Sequence, residues 1–166
     1  MRLTDDALEL LDQRLLPGEE KQLRLTSGEQ VAQAIEQMAV RGAPAIGVTA
    51  AFGLVVELRR ARQAGADLAA LRAACDAVSV RLRATRPTAV NLAWALDEAA
   101  RELEPLFASD TEPAALVEAA EKWALRLQED DLRICHAIGD LGAPLLDFQP
   151  FSRSCSHAAH PFCWLN

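Results

Sequence analysis

The segment Arg41–Pro44 places the residue types of an anion site directly before a predicted helix. Pro44 suits the first turn of a helix, and the apolar run from Ala45 to Val56 predicts a helix that is buried on all sides. Backbone N–H groups, the positive end of the helix dipole and the Arg41 guanidinium would meet there, which is the chemistry of a phosphate or sugar-hydroxyl site. A plainer interpretation fits equally well, in which Gly42 only ends a helix and Arg41 is a solvated surface residue.

A second arginine motif, Arg86-Pro87-Thr88, also precedes a predicted helix. Pro87 favours an extended conformation at Arg86 and suits the start of the next helix, so Arg86 is a candidate second ligand for the same anion. A surface arginine before a turn explains this segment as well.

The elements that must position these motifs are mostly helical. Polar and apolar residues alternate from Lys21 to Leu25, which predicts a short strand, and Thr26-x-x-Glu29 predicts a capping box for a first helix that ends near Arg41-Gly42. Further helices are predicted after Pro44, Asp67, Thr88 and Glu112. The helix after Asp67 has an apolar stripe of Leu68, Leu71, Cys75, Val78 and Leu82. Short connections predict a mainly α fold, an antiparallel helical bundle with a small β element.

Composition narrows the possible partners. The 166 residues carry 24 Asp+Glu against 17 Lys+Arg, a net charge of −7, which argues against binding to nucleic acid or to an anionic membrane. The most apolar stretch, 43–58, is shorter than the roughly 20 residues that span a bilayer. Four cysteines without framework spacing and no recognisable secretory signal predict a cytoplasmic protein with reduced thiols.

The character of the chain changes at Asp147. The last twenty residues hold three of the five Phe, two of the four Cys and two of the three His, without helical or strand periodicity. We therefore expect a helical domain over 1–146 and an irregular, disordered tail over 147–166. The tail contains four potential zinc ligands, Cys155, His157, His160 and Cys163. They are too closely spaced to hold one ion, so we predict no metal site. We also predict no cofactor.

Two other pairs of residues have structural interpretations. Cys135 and His136 are a nucleophile and a base by type, but adjacent residues of a helix point about 100° apart. Trp94 and Trp123 are interpreted as core or helix-packing residues.

The segments Arg41–Gly47 and Arg86–Asn91 resemble the motifs of the methylthioribose-1-phosphate isomerases. The likeness extends over approximately residues 7–146 and includes three further segments: Leu10–Gln13 with Leu16-Pro17, Ala50–Gly53 and Ile138–Gly142. The wider superfamily includes ribose-1,5-bisphosphate isomerases and regulatory subunits of a translation-initiation guanine-exchange factor.

The resemblance implies a sugar-phosphate isomerase of methionine salvage, and hence of amino-acid biosynthesis. Its substrate would be 5-methylthioribose 1-phosphate, converted from aldose to ketose phosphate, and the family forms homodimers. The residues that the resemblance assigns to substrate binding are Arg41, Gly42, Ala43 and Arg86.

The resemblance also implies a second, Rossmann-like domain. That domain holds a catalytic cysteine in a Thr-His-Cys-Asn-Ala-Gly motif and a catalytic aspartate in a Gly-Ala-Asp motif, and we assign neither role in this chain. The flanks of Cys155 do not match the cysteine motif, so no catalytic residue is predicted. We expect an inactive N-terminal fragment whose Rossmann-like domain is missing. The alternatives are a ribose-1,5-bisphosphate-type isomerase and a non-catalytic module like the translation-factor subunits.

Overall fold

Five helices and a small three-stranded sheet make up the computed structural model, which describes residues 1–109 and 111–145. The strands are β1 (Arg2–Leu3), β2 (Leu8–Leu11) and β3 (Gln22–Leu25). The helices are α1 (Gly28–Glu36), α2 (Ala43–Gln63), α3 (Leu68–Thr85), α4 (Val90–Phe107) and α5 (Pro113–Gly142), followed by a 3-10 turn at Ala143–Leu145. The predicted mainly α fold with a small β element is confirmed. The predicted tail, 147–166, lies outside the described residues.

Helix α2 is the centre of the fold. It packs against each of the other four helices. Every residue from Ala45 to Val56 is buried, so the prediction of a helix that is apolar all round is confirmed. The Arg41–Pro44 segment, which leads into the first turn of α2, is thereby attached to the buried centre of the fold.

The sheet is antiparallel in the order β1-β2-β3, with Leu8 opposite Leu25 and Leu10 opposite Leu23. Leu8 and Leu10 point to the same face, as residues two apart on a strand must, and both are buried against the helices. Only β3 was predicted from the sequence.

The first helix differs from the prediction at both ends. Its N-cap is Ser27, whose side chain accepts a hydrogen bond from the Gln30 N–H, so the predicted Thr26 cap is one residue out of place. The helix ends at Glu36, well before Gly42, because Met38 takes a left-handed conformation with φ of 58°. The left-handed residue that follows a helix is usually a glycine, and nothing in the sequence marks a methionine for that position.

Helix α4 turns a different face to the core than its largest apolar residues suggest. Its buried residues include Leu92, Leu96 and Leu103, whereas Val90 is 77% exposed and Trp94 is 48% exposed. Trp94 is therefore not a core residue, and of its two interpretations only that of a helix-packing residue remains, while Trp123 on α5 is buried as expected.

Candidate functional site

The Arg41–Pro44 segment leads into α2 without a side chain that caps the helix. Gly42 is the N-cap residue and has φ of 96°, a conformation that residues with a Cβ rarely adopt. Its carbonyl accepts the first helical hydrogen bond, from the Ile46 N–H at 3.0 Å. Within the described residues no side chain accepts a hydrogen bond from this helix end. The first-turn amides of α2, at the positive end of a 21-residue helix, thus face an exposed surface.

Gln13, two residues after the end of β2, holds the Arg41 backbone in place. The Arg41 N–H donates to Oε1 of Gln13 at 3.0 Å, and the Gln13 N–H donates to the Ala39 carbonyl at 2.9 Å. Two hydrogen bonds therefore fasten the loop before α2 to the residues that follow β2. The sequence analysis names Gln13 only as part of the family resemblance. It does not predict that Gln13 positions the loop before α2.

An ion pair beside Gln13 strengthens that attachment. Asp12 is 2% exposed and receives both a 2.7 Å and a 2.6 Å hydrogen bond from the Arg14 guanidinium. The same guanidinium donates to Oε1 of Gln37, at the end of α1, at 2.7 Å. Because Arg14 stabilises the ionised carboxylate, the pKa of Asp12 lies below its usual range.

Arg86 lies at the end of α3, in an extended conformation with φ of −146°. The conformation expected before Pro87 is therefore present, but α4 begins three residues after Pro87, at Val90. The intervening turn is closed by a hydrogen bond from the Ala89 N–H to the Arg86 carbonyl at 2.9 Å. The expectation that Pro87 itself starts the helix is wrong, because Ala89 is the N-cap residue.

The guanidinium groups of the two arginines have no partner in the part of the chain that the structure describes. Arg41 is exposed and Arg86 is half-buried, and neither guanidinium makes an ion pair or a hydrogen bond with a residue in 1–109 or 111–145. Arg83, one turn before Arg86, instead pairs with Asp97 at 2.6 Å. Arg41 and Arg86 are therefore the cations of these two loops that have capacity for an anionic ligand.

Close packing of α2 on α4 brings the starts of the two helices together. A Cβ atom at Gly47 would lie 2.8 Å from the Asn91 carbonyl oxygen, so only glycine allows this approach. Gly47 is in the second turn of α2 and Asn91 is in the first turn of α4. The loops that carry Arg41 and Arg86 thus precede two helices that touch near their N-termini.

A groove of about 400 Å³ lies beside this crossing, between α2, α4 and α5. Its lining combines apolar and acidic side chains: Pro44, Gly47, Val48, Asn91, Trp94, Leu127, Asp130, Asp131, Arg133 and Ile134. Asp130 pairs with Arg133 at 3.0 Å, and burial raises the pKa of the Asp131 carboxyl above its usual range. None of the four predicted substrate-binding residues lines the groove, and the sequence did not predict it.

The cysteines of the described part of the chain do not resemble activated nucleophiles. Burial raises the pKa of the Cys75 thiol to about 11, which disfavours the reactive thiolate. Cys135 is half-buried on α5, and no hydrogen bond joins it to His136 within the described ranges. The cysteines and histidines of the predicted tail lie outside these ranges.

The tripeptide Gly-Ala-Asp occurs in this chain at residues 65–67. The structure places it in the turn between α2 and α3, where Asp67 caps α3 by accepting a hydrogen bond from the Ala70 N–H at 2.8 Å. This aspartate has a structural role in the turn, so the tripeptide does not supply the catalytic aspartate of the resemblance.

Among residues 1–109 and 111–145, no group of three or more His, Cys, Asp or Glu side chains is arranged to hold a metal ion. None of the helices described is long and apolar enough to cross a bilayer.

A sequence profile of the initiation factor 2 subunit family matches residues 39–150, which include both arginine motifs, α2, α3, α4 and α5. The chain belongs to the initiation factor 2 subunit family. Within this family the chain is similar to proteins named methylthioribose-1-phosphate isomerase, so the resemblance stated from the motifs is confirmed.

Two relatives illustrate the extent of the similarity. The isomerase of Anaeromyxobacter sp. is 48% identical over 141 residues, which are 85% of this chain and 36% of the relative. That of Thermotoga petrophila is 42% identical over 146 residues, 88% of this chain and 40% of the relative. The chain thus spans well under half the length of these relatives.

Solved structures of the family have the same fold. The 5-methylthioribose 1-phosphate isomerase of Pyrococcus horikoshii superposes with a TM-score of 0.81 at 30% identity, over 87% of this chain and 40% of that one. The translation initiation factor eIF-2B, subunit delta, of A. fulgidus superposes with a TM-score of 0.70, also at 30% identity, over 89% of this chain and 42% of that one.

Proposed function

We propose that residues 1–146 are the substrate-binding N-terminal domain of a methylthioribose-1-phosphate isomerase. The observation that carries the proposal is the 48% identity to an isomerase over 85% of the chain. The geometry supports it, since two arginines whose guanidinium groups have no partner among the described residues precede two helices that touch near their N-termini. The substrate is a small sugar phosphate, and the proposal requires no metal or cofactor.

The phosphate binds at the start of α2. The backbone N–H groups around Gly42 and Ala43 donate to its oxygens, and the positive end of the helix dipole favours its charge. Arg41 and Arg86 add charge-assisted hydrogen bonds from two sides. Because Gly42 and Ala43 carry small side chains or none, the ligand can approach the backbone closely.

Binding and orientation are only part of an aldose–ketose isomerisation. A phosphate on C1 prevents simple opening of the sugar ring, so the reaction needs an acid and a base held in a water-excluded cleft. The family resemblance assigns those roles to a cysteine and an aspartate of a second domain. We therefore assign substrate binding, and no catalytic residue, to residues 1–145, and propose that the 166-residue chain alone does not turn over substrate.

A titration followed by two-dimensional ¹H–¹⁵N NMR tests the binding site. Inorganic phosphate and 5-methylthioribose 1-phosphate should both shift the backbone amides of Gly42, Ala43 and Ala45, while Gly65, in the turn at the other end of α2, serves as an internal control. Shifts confined to other regions would contradict the site. A coupled isomerase assay on the same sample should give no turnover, and measurable turnover would contradict the assignment of proton transfer to groups outside residues 1–145.

Two other functions are tested by the same samples. A ribose-1,5-bisphosphate isomerase would bind that bisphosphate more tightly than the methylthio sugar. A non-catalytic module, suggested by the superposition on the initiation factor subunit, would bind neither. The higher TM-score with the isomerase, 0.81 against 0.70, favours the enzyme.

We further propose a cytoplasmic homodimer in which residues 147–166 form a separate tail. Family resemblance supports the dimer, and sedimentation of the purified chain tests it. Limited proteolysis tests the tail, since cleavage should begin after Leu146 and leave the helical domain intact.

A further inference from the structure

The connection between α1 and α2 changes from buried to exposed between Val40 and Arg41. Ala39 and Val40 are fully buried, whereas every residue from Arg41 to Pro44 is exposed. Packing therefore holds the chain as far as Val40 and does not hold the residues that the proposed phosphate site needs. The conformation of Arg41 depends on hydrogen bonds instead, since an exposed loop residue without them keeps much of its conformational freedom.

The side chain of Gln13 supplies a hydrogen bond at this boundary. Its Oε1 accepts the Arg41 N–H at 3.0 Å. Because a peptide unit is planar and rigid, this bond constrains the orientation of the whole Val40–Arg41 peptide, and with it the direction in which the Arg41 side chain leaves the backbone. The bond also occupies the Arg41 N–H, so the amides left for a ligand are those from Gly42 onward.

Gln13 is itself held in place by its neighbours. Its own N–H donates to the Ala39 carbonyl at 2.9 Å. The preceding residue, Asp12, is 2% exposed and donates its N–H to the Lys21 carbonyl at 2.8 Å. The backbone on which the Gln13 side chain is mounted is therefore fixed before a ligand binds, as a pre-organised site requires.

We propose, resting on the function proposed above, that Gln13 is a positioning residue of the anion site and acts through Arg41. By holding the Arg41 backbone, Gln13 directs the Arg41 guanidinium toward the first turn of α2. The loop is then ordered in the free chain, so the phosphate does not have to order it on binding. Without this bond, part of the binding free energy is lost to ordering the loop.

A double-mutant cycle on the 166-residue chain tests this proposal by calorimetry with 5-methylthioribose 1-phosphate. Methionine has nearly the length of glutamine but no amide oxygen, so Gln13→Met should weaken binding about threefold to tenfold, the usual worth of one hydrogen bond. In the Arg41→Ala background the same change should weaken binding less than about twofold, because the side chain that Gln13 positions is gone. Equal losses in the two backgrounds would overturn the proposal, since Gln13 would then act independently of Arg41.

Gln30→Met is the matched control. Oε1 of Gln30 also accepts a backbone hydrogen bond, from the Thr26 N–H at 2.7 Å, but it lies at the start of α1, away from the Arg41 loop. The two substitutions should lower the urea midpoint to a similar extent, and only Gln13→Met should lower the affinity. A similar loss of affinity in Gln30→Met would overturn the proposal, because general destabilisation would then account for the effect.

Hydrogen exchange of the unmodified chain makes the test independent of how Gln13→Met folds. Without ligand, the Arg41 amide should exchange more slowly than the Gly42 and Ala43 amides, whose exchange should slow only when phosphate is added. Gln13→Glu keeps an acceptor oxygen and should retain the protection of the Arg41 amide that Gln13→Met loses. An Arg41 amide that exchanges as fast as that of Gly42 in the free chain would overturn the proposal.

The outcomes separate this inference from the function on which it rests. Parental affinity in Gln13→Met or in Arg41→Ala would overturn the positioning role and leave the phosphate site at the Gly42 and Ala43 amides intact. Unperturbed Gly42 and Ala43 amides with both inorganic phosphate and the sugar phosphate would overturn the proposed function itself, and this inference with it.

Discussion

The backbone of Gly47 lies so close to Asn91 that a Cβ atom at position 47 would come within 2.8 Å of the Asn91 carbonyl oxygen. The obstacle is backbone in the first turn of α4, which cannot rotate away as a flexible side chain would. This approach fixes the start of α2 against the start of α4, and it therefore fixes the relative positions of the loops that carry Arg41 and Arg86.

Replacement of Gly47 by alanine tests that packing. We expect Gly47→Ala to lower the free energy of unfolding by about 1–3 kcal/mol, because an overpacked methyl group costs more than alanine's better helix propensity regains. Gly139→Ala on α5 is the control, since no atom of the described residues lies within 4 Å of the added Cβ and the variant should be as stable as the parent or more so. Equal urea midpoints for the two variants would show that α2 and α4 can separate without cost.

The conformation of Gly42 gives a prediction that separates strain from binding. Gly42 has φ of 96° and Gly65 has φ of 85°, and at neither position would an added Cβ lie within 3.4 Å of another group in the described part of the chain. Gly42→Ala and Gly65→Ala should each destabilise the fold by roughly 1–2 kcal/mol through backbone strain alone. Only Gly42→Ala should also weaken the binding of inorganic phosphate, measured by calorimetry. A similar loss in Gly65→Ala would mean that strain, and not the position of the amides, determines affinity.

The ion pair of Asp12 with Arg14 predicts part of the acid sensitivity. Arg14 lowers the pKa of Asp12 below the ordinary value of 3.8, so the folded state binds this proton less readily than the unfolded state. The stabilisation is present above that ordinary value and is lost as the pH falls through the lower, folded-state pKa. In Asp12→Asn the stability should therefore depend less steeply on pH at the acid end, in urea titrations from pH 6 to pH 2.

Asp6 is the control for that titration. Its pKa is also lowered, by Arg24, but its side chain is 56% exposed, so solvent screens the pair. Asp6→Asn should change the pH dependence less than Asp12→Asn does. The opposite order would mean that the buried pair beside Gln13 does not stabilise the loop before α2.

The sequence predicts those helices whose start and buried face are marked by residues close together in the chain. Helix α2 was predicted because Pro44 and an unbroken apolar run mark its start and its burial, and α3 because Asp67 and a regular stripe mark its cap and its buried face. Strands β1 and β2 were missed because they are short and acquire their identity from pairing across the sheet. The end of α1 was misplaced because a methionine, Met38, takes the conformation expected of a glycine.

The candidate site also has a part that the sequence predicts and a part that it does not. Arg41, Gly42, Ala43 and Arg86 stand in contiguous motifs, so residue types and a family resemblance were enough to propose them. The groove was not predicted, because its lining comes from three helices that are distant in the sequence. The exposure of Trp94 depends on which face α4 turns to α2, which its apolar pattern did not determine.

The proposed binding of the substrate phosphate by the Arg86 guanidinium is tested most directly by calorimetry of two arginine variants. Arg83→Ala is the matched control, because Arg83 lies one turn before Arg86 and already pairs with Asp97 at 2.6 Å. Loss of a charge-assisted hydrogen bond should weaken the binding of 5-methylthioribose 1-phosphate about tenfold or more in Arg86→Ala, and Arg83→Ala should stay within about twofold of the parent. Parental affinity in Arg86→Ala, or an equal loss in Arg83→Ala, would contradict the account.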